Sequence, residues 1–118
     1  MRFDRPNQQK INILGTEWII SVENISDKFE QRYAEAYTDN SIKKMFIAIR
    51  DAEPDDCENI INIRKQYARH EIIHAFFYEC GLGTNTNGDS AWAINEEMVD
   101  WWALNFHKVE KVFKELKI

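Results

Sequence analysis

His70-Glu71-Ile72-Ile73-His74 sets two of the chain's three histidines four residues apart with a glutamate between them. On a helix, positions i and i+4 lie one turn apart on one face, so both imidazoles can reach one metal ion at about 2.0 to 2.1 Å. Glu71 lies about 100° round from His70 and about 60° from His74. That is too far round to ligate with them, yet close enough to take a proton from a water on the same metal. The donor types call for Zn2+, which accepts imidazole and carboxylate ligands in a tetrahedral site and, where it catalyses, keeps one position open for water.

A third protein ligand is sought downstream, in Asn95-Glu96-Glu97-Met98-Val99-Asp100. Glu96 and Asp100, at i and i+4, run along the edge of an apolar helical arc, while Glu97 points about 100° further round. Glu96 is the expected third ligand. Asp100, one turn on, is placed to accept the free ring N–H of a ligating histidine and fix its tautomer. His107 stands roughly 16 Å along the same helix from Glu96, and Cys57 and Cys80 are too far along the first helix from His70 to join its site.

The elements that must position these groups can be read from hydrophobic periodicity. Residues 10–14 alternate polar and apolar, Gly15-Thr16 offers a turn, and residues 18–22 are β-branched and aromatic, which together predict a hairpin. Residues 33–37 alternate again, Asp39-Asn40 supplies turn chemistry, and residues 42–49 follow with Met45, Ile47 and Ile49 on one face, a second hairpin. Residues 23–30 fit either a short helical turn or a linker. A long helix is expected over 56–80, with Asp55 and Glu58 at its start, Gly81 as its left-handed stop, and Ile73, Phe76, Phe77 and Cys80 as its core stripe. Residues 83–90 read as a surface loop. A second long helix is expected over 91–116, burying Met98, Val99, Trp102, Phe106, Val109 and Phe113, with Trp92 and Trp101 off that arc.

HExxH on one helix, followed some twenty residues on by Asn-Glu-x-x-x-Asp on the next, resembles the gluzincin zinc metallopeptidases, with a thermolysin-like site, over residues 70–100. The resemblance implies that His70, His74 and Glu96 ligate zinc, that Glu71 polarises the attacking water, and that Asp100 partners a ligating histidine. Tyr78-Glu79-Cys80-Gly81 stands where a metzincin would carry Gly-x-x-His, so a third histidine of that kind is excluded. The layout is also similar to small intracellular zinc peptidases of phages and mobile elements, of the ImmA/IrrE-like type, relatives of which cut transcriptional repressors. It implies an α+β minimal zincin, a small sheet packed on the HExxH helix and a second ligand-bearing helix. In such folds the strand before the HExxH helix, here 42–49, resembles the edge that aligns an extended substrate.

The chain of 118 residues forms a single domain on this reading, with 44% hydrophobic residues to fill one core. A net charge of -5 argues against a grip on nucleic acid phosphates. No apolar stretch is long enough to span a bilayer and residues 1–10 hold no signal core, so no membrane partner and a cytoplasmic location are expected. Two cysteines in such a compartment are expected to stay unbridged. The function expected is zinc-dependent hydrolysis of peptide bonds in an intracellular protein or peptide. The alternative is a zinc-stabilised protein-interaction domain without turnover.

Overall fold

The computed structural model of the chain describes residues 1–54, 58–82 and 96–118, and for 96–100 and 103 the backbone alone. The fold is α+β. Strands β1 (Asn7–Ile13) and β2 (Thr16–Asn24) are followed by a short helix, α1 (Asp27–Glu30). Strands β3 (Ala36–Asp39) and β4 (Lys44–Ile49) come next, then helices α2 (Ile60–Glu79) and α3 (Glu96–Leu116).

Both expected hairpins form, and they join through β2 and β4. The sheet order is β1-β2-β4-β3, with β1/β2 and β3/β4 antiparallel and β2/β4 parallel. The sheet is therefore mixed. The composition of β4 explains its interior place, because Met45, Phe46, Ile47 and Ala48 are all buried and need cover on both faces. Met45 and Ile47 join Ile11, Ile13, Trp18, Ile20 and Val22 in the main core beneath the long helices, while Phe46 and Ala48 pack with Phe29 of α1 on the other face. This corrects the expectation that 42–49 is the edge strand. The edges are β1 and, beside β4, β3, which is short and half exposed, as edges commonly are.

Two other boundaries move and one holds. Residues 33–35 lie outside the strand, with Tyr33 at φ 50°, so the alternation starts before the ladder does. Helix α2 begins at Ile60, where the side chain of Asn59 accepts the N–H of Asn62 at 3.1 Å. The expected start at Asp55 lies outside the described residues. Gly81 ends α2 at φ 77° as expected.

The buried face of α2 is Ala68, Ile72, Ala75 and Phe76. The expected stripe was displaced, since Cys80 is exposed and a free thiol, while Ile73 and Phe77 are half-buried. The cause is that α2 has two neighbours. Its alanines let it approach the sheet, and Phe77 turns to α3, edge-on to Trp101 at 5.1 Å and Trp102 at 6.2 Å. On α3, Val109 is buried and Trp102 and Phe113 pack on the core as expected; Val112 and Leu116 join them, whereas Phe106 is 56% exposed. Trp101 also packs on the core and donates its Nε1–H to the Cys80 sulfur at 2.9 Å. Met98, Val99, Trp92 and the 83–90 loop lie outside the described side chains. Among the described residues, no helix is long and apolar enough to cross a membrane.

Polar ties lock α2 at both ends. Arg64 is buried and donates to the carbonyls of Phe3 at 3.0 Å and Arg50 at 3.2 Å. At the other end, Glu79 accepts from Thr16 Oγ1 at 2.8 Å, Trp18 Nε1 at 2.9 Å and Lys43 Nζ at 2.8 Å. Partial burial alone would raise the Glu79 pKa, but the three donors outweigh it and hold it below the usual carboxylate range. Its contribution to stability is thus present above about pH 4.5 and lost as pH falls through the depressed value. Glu79→Ala is expected to cost about 2 kcal/mol in urea denaturation at pH 7, with the gap from wild type closing below about pH 4.

Candidate metal centre

The rotation of α2 decides where its chemical groups point. With Ala68, Ile72, Ala75 and Phe76 against the sheet, His70 and His74 emerge exposed on the outer flank and Glu71 turns inward, 4% exposed. The histidine rings stand edge to face with centroids 4.7 Å apart, and their Nε2 atoms are 3.0 Å apart. One Nε2 must therefore donate and the other accept. Partial shielding from water lowers the His74 pKa, with Glu71 opposing that shift and His70 adding to it. The shift favours the neutral imidazole, the form that ligates metals.

The pair fits a metal. Nitrogens at two tetrahedral positions of a zinc, each bonded at about 2.0 to 2.1 Å, stand roughly 3.3 to 3.4 Å apart. The observed 3.0 Å needs only a few tenths of an ångström of opening, within the freedom of two surface side chains. Among the described residues no group of three or more metal-binding side chains converges. Glu96 and Asp100 stand in the first turns of α3, as expected, and their side chains lie outside the described residues.

Glu71 is held by a residue that the motif does not announce. Thr38 of β3 donates its hydroxyl to Glu71 Oε2 at 2.6 Å and lies 3.3 Å from the Glu71 carbonyl oxygen. Among the described residues, Oε1 takes no hydrogen bond, and Glu71 borders an open cleft of about 440 Å³ with His70, Gln66, Tyr67, Ala36, Glu35 and Tyr33. Glu35 is itself paired with Arg50 at 2.5 Å.

Ala36, the first residue of β3, lines that cleft with Glu35 before it. Glu35 pairs with β4 through the Ala48 N–H at 2.8 Å. In an antiparallel ladder hydrogen-bonded residues alternate, so Ala36 and Thr38 turn their backbone N–H and C=O groups outward. Their side chains face α2, as the Thr38–Glu71 contact shows. Sequence reading missed Thr38, Ala36 and Glu35. The alternation over 33–37 was legible, but it stops short of Thr38, and which helix face Thr38 meets depends on a pairing across 33 residues.

The sequence matches no protein-family model, and no curated protein or solved structure is detectably similar to it. Removing the Thr38 hydroxyl leaves the buried Glu71 oxygen without its donor. Thr38→Val is expected to lower stability by about 1 to 2 kcal/mol at pH 7 by chemical denaturation, with Thr38→Ser recovering most of the loss.

Proposed function

We propose that the chain is a zinc-dependent metallopeptidase of the minimal zincin kind, acting on an extended segment of a protein. The observation that carries this reading is the convergence of the His70 and His74 Nε2 atoms beside an inward, hydrogen-bonded Glu71, at a cleft that reaches the first residue of β3, whose outer edge is unpaired among the described residues. His70 and His74 would hold the metal with Glu96 as third ligand, and Asp100 would fix a ligating imidazole through its other ring nitrogen. Zinc, when bound, polarises the scissile carbonyl and makes a water acidic enough to attack near pH 7.

The remaining work falls to the chain's own groups. Glu71 accepts the proton of the attacking water at Oε1 and returns it to the leaving amine. Thr38, by holding Oε2, keeps that carboxylate from turning away. The outward N–H and C=O groups of Ala36 and Thr38 pair with the substrate backbone as an added strand, which supplies orientation without demanding a particular sequence. The net charge of -5 accords with a protein or peptide substrate and with no nucleic acid partner. Supporting an intracellular target, such as a repressor, is the likeness to small phage-type zinc peptidases.

Two outcomes test the ligand set. The purified protein is expected to hold about one zinc per chain by elemental analysis, lost in His70→Ala and Glu96→Ala and retained in Glu97→Ala. Asp100→Asn is expected to weaken zinc by roughly 10-fold to 100-fold in chelator competition without unfolding the chain.

The catalytic role has its own test. Glu71→Gln is expected to keep fold and zinc yet abolish hydrolysis, because the amide preserves shape but cannot take the proton. Proteins of a host lysate, incubated with each form, should gain new N-termini by mass spectrometry with wild type alone. Identical profiles would favour a zinc-stabilised interaction domain without turnover.

A further inference from the structure

Tyr33 combines a costly backbone with a side chain that does no packing. It follows α1 in the left-handed conformation, φ 50°, at the position where helices commonly stop on glycine. Its N–H donates to the Glu30 carbonyl at 3.0 Å and the Ala34 N–H reaches back to the Phe29 carbonyl at 3.2 Å. A glycine or asparagine would make the same turn with less strain. The chain instead places a tyrosine there whose side chain is 99% exposed and, among the described residues, makes no hydrogen bond or ring contact. Leu14, Lys43 and Lys117 share the conformation, but Leu14 and Lys43 sit in hairpin turns, Lys43 also reaches Glu79, and Lys117 ends α3 away from both hollows.

The place of Tyr33 gives the strain a use. It borders the cleft that holds His70 and Glu71, and it also borders a second recess of about 360 Å³ with Ile25, Phe29, Glu30, Ala34 and Glu35. The two hollows meet at Tyr33 and Glu35, just before the N-terminal end of β3, whose outer edge is unpaired among the described residues. Ile25, which lines the second recess with Tyr33, is 41% exposed, so two large exposed side chains border a hollow that also touches the buried Phe29. A polypeptide paired along β3 would run past this point, with alternate side chains directed to one side.

We infer that Tyr33 is a specificity-determining residue, whose ring covers an apolar side chain of an extended polypeptide as that side chain enters the Ile25–Phe29–Ala34 recess. The inference rests on the peptidase reading for the path of the polypeptide along β3. Function and fold then pull in opposite directions at this position, a pattern expected where strain is kept for binding.

The test uses zinc-free wild type, so that turnover cannot interfere, and fluorescein-labelled alanine-based decapeptides carrying Phe, Leu or Ala at the centre, read by anisotropy. The Phe and Leu peptides should bind wild type several-fold more tightly than the Ala peptide, on the order of 3-fold to 10-fold for one aromatic contact. Tyr33→Asn should erase that preference while raising Tm by roughly 2 to 5 °C. Tyr33→Phe should keep the preference, and Ile25→Ser should weaken it. Equal binding of all three peptides to wild type, an unchanged preference in Tyr33→Asn, or a lowered Tm in that variant would each overturn the inference. Its failure is separable from that of the peptidase reading. Wild-type hydrolysis lost in Glu71→Gln but indifferent to Tyr33 would sink this proposal alone, and apolar-selective binding without hydrolysis would sink the other.

Discussion

The angle at which α2 rests on the sheet is the constraint from which the rest of the site follows. A helix has one rotational freedom about its axis, and burying Ala68, Ile72, Ala75 and Phe76 removes it. The histidines are then carried outward together and Glu71 inward, toward Thr38. Glu79 and Arg64 hold the two ends, each through contacts to the sheet or the segments flanking it. Two alanines on the buried face matter as much as the large residues, because they bring the helix axis close enough for Thr38 to reach Glu71 at 2.6 Å.

The same packing divides labour between the two faces of the sheet. On one, β2 and β4 contribute Trp18, Ile20, Val22, Met45 and Ile47 to the platform under α2 and α3. On the other, Phe46 and Ala48 are sealed by Phe29 and stacked Tyr37, whose ring lies 4.7 Å from that of Phe46. Sealing that second face is what α1 does, and stopping α1 is what places Tyr33. The apolar run in β4 therefore has a consequence far from itself: it forces β4 inside and leaves β3, with its outward backbone groups, at the edge, its first residue lining the cleft.

The sequence was most legible where signals were local. The alternation of Ile11 and Ile13, the turn at Gly15, the paired faces of β4, the stop at Gly81 and the placement of His70, Glu71 and His74 on one helix all follow from short-range periodicity and turn chemistry. What was not legible depends on tertiary partners. Residues 33–37 alternate like a strand, yet the first bond to β4 is made at the Glu35 carbonyl, because α1 must first be ended. The α2 stripe was displaced because Phe77 faces Trp101 and Trp102 instead of the sheet. The order of the strands, and with it the identity of the edge, turns on which strand needs burial on both faces, a comparison between elements and not a property of one. Thr38 was invisible for the same reason.

The central claim is that two imidazoles of α2 and a carboxylate of α3 share one zinc ion. X-ray absorption at the zinc edge of the metal-loaded protein tests it most directly, since it reports ligand type and distance without reference to activity. The account predicts a low-coordinate site with nitrogen and oxygen scatterers at about 2.0 to 2.2 Å, the outer-ring signature of two imidazoles, and no sulfur. A sulfur shell at about 2.3 Å, or a signal lacking imidazole, would contradict it.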